Sequence, residues 1–334
     1  MSPRRRVTTT RPGPRPKRIL LVGATGSAGK AAAAALASTM HDVVAFVRPD
    51  ADIEGIPAKV QLRFGTVTNH YLLERDCFQG DHFDVLVSCL ASRTGEPDDA
   101  WAIDHDANLN VLKGALDVGV SHVVHLSAIC VQKPQLEFQR AKLAYEEELK
   151  NSGVTWSIVR PTAFFKSLGG QIERVKKGKS FVVFGDGTLT ACKPISDRDL
   201  GAFIASCVDD PKKRYAELPI GGPGPALTPR DMGNELFRLT GQKPKFKEVS
   251  LATMDRIIKL LDLGGRFFPG LKEKAQLARI GRYYGSESML VYNRNTQAYS
   301  EADTPSFGHD TLFDYYNQVL AGEERVELRE HAVF

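Results

Sequence analysis

A run of apolar residues, Ile19-Leu20-Leu21-Val22, leads straight into Gly23-Ala24-Thr25-Gly26-Ser27-Ala28-Gly29 and then into an alanine-rich stretch. Strand, glycine turn and helix in that order leave few folds open. The helix crosses back over a sheet, so the next apolar run, 43–47 (VVAFV), lies parallel to the first. The alternation continues. Strands are expected at 18–23, 60–64, 84–89, 122–127 and 155–159, and helices at 27–39, 69–79, 99–118 and 137–151. Short, mostly apolar strands separated by helices imply an α/β fold of Rossmann type, a doubly wound parallel sheet with helices on both faces.

Beyond Arg160-Pro161 the pattern loosens. Short strands are expected at 181–184 and 218–220, and helices at 229–239 and 251–262. The expected organisation is a disordered basic tail (1–17), a nucleotide-binding domain (18–160) and a smaller C-terminal substrate lobe (161–334) that returns a strand to the sheet.

Charge supports this division. The chain of 334 residues is net +4, yet residues 1–18 hold seven Lys or Arg and no acid. The body from residue 19 onward is therefore −3, which does not suit a nucleic-acid binder. Five cysteines without CxxC spacing imply reduced core thiols rather than a disulfide framework or a zinc site, and no histidine pair has metal-ligand spacing. No apolar run reaches the roughly 20 residues that span a bilayer. About 17 residues precede the first strand. That suits a bacterial cytoplasm better than a plastid import sequence, with the plastid stroma expected if the chain is eukaryotic. Oligomeric state is left open.

The glycine loop has the GxxGxxG spacing of a dinucleotide site. One glycine permits the turn, one lets backbone approach a pyrophosphate, and one lets helix and strand pack. Gly23, Thr25, Gly26, Ser27, Ala28 and Gly29 are the expected phosphate contacts, on the free N–H groups of the helix N-terminus. The second strand ends in Val47-Arg48-Pro49, not in the acid that binds an NAD ribose. Arg48 suits a 2′-phosphate, so NADPH is the expected cofactor. Lys30, Asp50 and Asp52 are weaker candidates nearby. Val67, and Leu90 with Ala91 and Ser92, follow the third and fourth strands, where the same crevice opens.

Ser127 ends the fifth strand, and Phe138-Gln139-Arg140-Ala141-Lys142 lies on the next helix. This is the short-chain dehydrogenase spacing of Ser and Tyr-xxx-Lys with phenylalanine in place of the tyrosine. Phenylalanine has no proton to give, which argues against ordinary carbonyl reduction. Two readings stay open: an NADP-sensing protein without turnover, or hydride transfer to a conjugated carbon–carbon double bond, with Lys142 anchoring the cofactor.

Longer blocks narrow this. They include Val87-Ser88-Cys89-Leu90-Ala91-Ser92-Arg93, Leu126-Ser127-Ala128-Ile129-Cys130-Val131-Gln132-Lys133-Pro134, and Arg160-Pro161-Thr162-Ala163-Phe164-Phe165-Lys166. Ala191-Cys192-Lys193-Pro194 and Ile280-Gly281-Arg282-Tyr283-Tyr284 extend the series. From about residue 18 onward the chain closely resembles the NADPH-dependent 8-vinyl reductases of divinyl chlorophyllide and protochlorophyllide. The resemblance implies an atypical short-chain dehydrogenase that reduces the C8 vinyl of a magnesium tetrapyrrole, with phenylalanine as the family's residue at position 138. Lys142 and Ser127 are the expected catalytic residues. Pro161 and Thr162 are expected beside the nicotinamide. Phe138, Phe164, Phe165, Lys193 and Arg282 are candidates for the substrate. Lys166 is a further candidate for its propionate, and Tyr283 and Tyr284 for the proton.

Overall fold

Successive residues of the first strand bury on opposite faces, Ile19 and Leu21 against one helix layer and Leu20 and Val22 against the other. A strand buried on both sides belongs inside a sandwich of helices, and the computed structural model, which describes residues 15–324, has that layout. In chain order the first half runs β1 (Arg18–Val22), α1 (Ser27–Ala37), β2 (Asp42–Val47), β3 (Gln61–Phe64), α2 (His70–Leu73), β4 (Val85–Ser88), α3 (Pro97–Ala100), α4 (Asn108–Asp117), β5 (His122–Leu126), α5 (Glu137–Asn151) and β6 (Thr155–Pro161). The helices expected at 69–79 and 99–118 are each interrupted by a wide turn with i→i+5 bonding, Glu74–Phe78 and Trp101–Ala107.

The second half runs α6 (Phe165–Leu168), α7 (Ile172–Lys176), β7 (Phe181–Phe184), α8 (Asp197–Cys207), β8 (Ala216–Ile220), α9 (Pro229–Leu239), β9 (Phe246–Val249), α10 (Leu251–Gly265), α11 (Pro269–Tyr284), β10 (Val291–Asn293), β11 (Ala298–Ser300) and α12 (Leu312–Ala321). Helices α8, α11 and α12 go beyond the sequence expectation.

Seven parallel strands form the main sheet in the order β3-β2-β1-β4-β5-β6-β8. The order reverses between β1 and β4, which opens a crevice beyond their carboxyl ends. Strand β8 pairs with β6, and α8 packs against α1. A Cβ on Gly201 of α8 would sit 2.4 Å from the Ala31 carbonyl carbon, so alanine on one helix and glycine on the other bring the backbones together. The remainder of the second half has its own core around Phe165, Ile172, Phe181, Phe237 and Tyr316.

Residues 1–14 of the expected disordered tail lie outside the described residues. Lys17, also assigned to that tail, is held in place. Its ammonium donates to the Val208 carbonyl at 2.6 Å and pairs with Asp209 at 2.8 Å.

Candidate active site

The three glycines after β1 do different work. Gly23 has φ +76°, and a Cβ there would lie 2.4 Å from the Cys89 carbonyl carbon, where the ends of β1 and β4 press together. A Cβ on Gly29 would lie 2.0 Å from the Gly23 oxygen, so helix and turn touch through backbone. Gly26 is exposed and has an ordinary φ of −73°, and a Cβ there would meet only the Gly23 oxygen, at 3.7 Å. Nothing inside the protein demands glycine at 26; the room it leaves faces outward. Helix α1 opens there with no side-chain cap and no acid in its first turn. Its first N–H groups and positive dipole end are therefore free for an anion. Thr25 and Ser27 are half-buried and Ala28 is buried at this rim.

Arg48 stands exposed just past β2, with no ion pair among the described residues, whereas Lys30 and Asp52 answer each other at 3.0 Å. Val67 and Leu90 lean half-buried on the core around Val22 and Phe46. Ala91 is exposed. Ser92 is buried, and its N–H donates to Asp104 at 3.3 Å. Pro161 and Thr162 are buried at the end of β6, where the Thr162 N–H donates to the Ile220 carbonyl at 2.9 Å and its hydroxyl to the carbonyl of Lys193.

Helix α5 buries a stripe that contains two charges, Lys142 and Glu146, one turn apart. The Lys142 ammonium is 2.8 Å from Asp104, a fully buried carboxylate on the wide turn 101–107. Ser127, also buried, donates its hydroxyl proton to Glu146 at 2.6 Å. Arg160 holds the same carboxylate through two nitrogens and reaches Glu217, which Lys150 joins at 2.6 Å. His125 is fully buried on β5, its ring nitrogens without a hydrogen-bond partner among the described residues and its ring edge-to-face on Tyr145 at 4.6 Å. Burial, with Lys142 and Arg160 nearby, pushes its pKa well down, so the ring is neutral. Burial pushes the Cys89 thiol up to about 12 and raises Cys130 as well, so neither presents a thiolate.

The aromatic candidates divide. Phe138 is half-buried beside Cys130, Leu136, Ile280 and Tyr283, with Gly95 close by. Phe164 is half-buried against the β6 core. Phe165 is a correction: it is buried in the second-half core, its ring 5.7 Å from Tyr315, and offers no stacking face. Lys193 is likewise buried, its ammonium 3.4 Å from the Thr304 carbonyl, and Arg282 pairs with Asp255 at 2.9 Å. Arg282 is thus already answered by a carboxylate, whereas Lys193 meets only a backbone carbonyl and keeps its charge in a buried place. The Tyr283 hydroxyl donates to the Cys130 carbonyl at 2.9 Å, and burial raises its pKa, as it does for Tyr284. Tyr283 thus pins α11 to the loop after β5.

Asp104, Glu146 and Arg160 were not singled out from sequence. One signal was available: Lys142 and Glu146, at i and i+4, share a face with Ala141, Tyr145 and Leu149. Two opposite charges on an apolar stripe call for buried partners.

The residues fit a bound dinucleotide. The Gly26 cradle and the uncapped α1 suit a pyrophosphate, Arg48 suits a 2′-phosphate, and Lys142 is fixed on the far side of the switch point. The comparisons agree. A family described as NAD(P)H-binding matches residues 23–211. The divinyl chlorophyllide a 8-vinyl-reductase of Cucumis sativus, named as chloroplastic, is 49% identical over 96% of this chain and 80% of that protein. Its Arabidopsis thaliana counterpart is 47% identical over 93% and 79%. Among solved structures, the Bordetella bronchiseptica enzyme WbmG in complex with NAD superposes with a TM-score of 0.67 at 16% identity, covering 97% of this chain and 98% of that one, which supports the fold. A nicotinamide-binding Rossmann sheet, near-complete coverage and almost half the residues in common place this chain in the divinyl chlorophyllide a 8-vinyl-reductase family.

Proposed function

We propose that the protein reduces the C8 vinyl group of divinyl chlorophyllide a or divinyl protochlorophyllide a to ethyl at the expense of NADPH. The observation that carries this is Phe138, a half-buried ring packed against the cluster of Cys130 and Ile280, where a carbonyl reductase needs a hydroxyl acid. Held by the residues of the site, NADPH would supply the hydride and become NADP⁺, and a proton from water would complete the ethyl group. A conjugated macrocycle delocalises the charge between these events, so no strong acid has to stand at the reacting carbon.

The chain's own residues bind and orient. Gly23, Gly26 and Gly29 with the α1 N-terminus hold the diphosphate, and Arg48 selects the 2′-phosphate. Lys142, held by Asp104, holds the nicotinamide ribose. Ser127 spends its hydroxyl hydrogen bond on Glu146 and so stiffens the end of β5 rather than facing the substrate. Pro161 and Thr162 set the nicotinamide face, and Phe138 and Phe164 border the macrocycle. Residues 18–160, with α8 and β8, form the cofactor half, and the rest of 161–334 the substrate half. A stromal or bacterial cytoplasmic setting belongs to the same proposal.

Purified protein incubated with divinyl chlorophyllide and NADPH should shift the Soret band to the blue and add two hydrogen atoms by mass. NADPH binding without oxidation would replace this proposal with an NADP sensor. Reduction of other conjugated alkenes but not of the tetrapyrrole would replace it with a different reductase.

A further inference from the structure

The pair α10–α11 departs from the rest of the molecule. Of the fifteen residues of α10 only Gly265 is buried. The helix packs chiefly on α11, and the two run antiparallel, stitched by Asp255–Arg282 at 2.9 Å and Asp262–Arg279 at 2.6 Å. Its other side is apolar and open. Leu260 is 70% exposed, Leu263 57%, Phe267 77% and Phe268 65%, with Ile257 and Leu277 beside them. Ile257, Leu260 and Leu263 recur at three-residue steps along one face of α10, and Phe267 and Phe268 follow just past its end. Single exposed apolar residues need no explanation, but a contiguous stripe ending in two adjacent phenylalanines marks an interaction surface.

Charge says what covers it. Residues 251–284 hold seven Lys or Arg against three acids, net +4, in a body that is net −3. Two of the acids, Asp255 and Asp262, are the ones stitched to α11. Arg256, Lys259, Arg266, Lys272 and Lys274 are exposed and form no salt bridge among the described residues. A second copy of the chain would bring the same five cations against these five. No helix among the described residues is long and apolar enough to cross a membrane.

We propose that the α10–α11 hairpin seats on an anionic lipid surface. The stripe and Phe267-Phe268 enter the boundary between headgroups and acyl chains, while the flanking cations stay on lipid phosphates. The root of the hairpin lies at the active site, where Gln276 donates to the Gly95 carbonyl and Tyr283 to that of Cys130. The hairpin thus joins the lipid surface to the elements that carry Gly95 and Cys130, beside the Phe138 ring that the proposed function places against the macrocycle.

The test is flotation of the full chain with vesicles of phosphatidylglycerol and phosphatidylcholine against phosphatidylcholine alone, without substrate, so it reads independently of vinyl reduction. Binding is expected on the anionic vesicles and should fall with added salt. Phe267→Ser with Phe268→Ser, and separately Lys259→Glu with Arg266→Glu, should each lower it by about tenfold or more. NADPH affinity and melting temperature should stay unchanged in both. Absence of flotation, or flotation that neither pair alters, overturns the proposal. So does a concentration-dependent dimer that the phenylalanine pair abolishes, because the stripe would then be a contact between copies.

Discussion

The glycine end and the Lys142 end of the crevice are built on opposite rules. Around Gly26 and Arg48 groups are left unanswered among the described residues: helix N–H groups without a side-chain cap, and a guanidinium without a carboxylate. Around Lys142 opposite charges already meet, Lys142 with Asp104 and Glu146 with Arg160. One end acquires its partners from a ligand, and the other keeps its geometry whether or not a ligand is there. The division makes chemical sense. Affinity can come from phosphates that complete open donors, whereas hydride transfer needs groups that do not have to reorganise.

Asp104→Ala attacks this contrast hardest. It strands the buried Lys142 ammonium and should cost about 3–5 kcal/mol of stability, read as a lower urea midpoint. Lys142→Met in the same chain should recover much of that loss, because the stranded charge goes with it. A single variant as stable as the parent would show that the closed end does not depend on this pair.

Acid probes the opposite, amino end of β5, away from both ends of the crevice. Burial, with Arg214 and Lys17 nearby, lowers the pKa of His122 to about 4, against about 6.5 in an unfolded chain. Between those values the unfolded state binds the extra proton, so stability falls as pH drops through the window, by up to about 3 kcal/mol. His125 shifts in the same direction. Denaturant midpoints from pH 7 to pH 4 should show this slope, and His122→Gln should flatten part of it.

At the open end the expected effects are on binding alone. Arg48→Glu should leave melting unchanged and cut the preference for NADPH over NADH about 10–100-fold, the range of a charge-assisted hydrogen bond. An unaltered preference in fluorescence titrations would return Arg48 to the solvated surface. Gly26→Ala has room for its methyl, unlike Gly29, so the fold should hold while NADPH binding weakens by roughly tenfold. Loss of stability instead would mean that Gly26 serves the turn and not the ligand.

Legibility follows the same division. The glycine loop could be read because its contacts are local, and helix α5 has the bounds 137–151 expected from its pattern. The parallel strands were legible as near-continuous apolar runs between helical segments. Asp104 and Arg160 were not, since their partners lie on other elements and an isolated acid or arginine resembles any surface residue. Phe165 misled for a related reason: an aromatic at a strand end looks the same whether it faces a ligand or, as here, Tyr315. The burial of Lys193 was not legible either, since it comes from packing against Gly221 far along the chain.

The wide turn Trp101–Ala107 has a consequence for how this site can vary. A regular helix advances about 100° per residue. Losing a single residue from 101–107 would turn Asp104 away from Lys142, or shift every contact of α4 behind it, including the Ser88–Asn108 bond of 2.5 Å. Point substitutions leave that phase untouched. Among descendants of this sequence, length in this segment should therefore be far less free than residue identity, and a one-codon deletion there should be more damaging than most single exchanges around it.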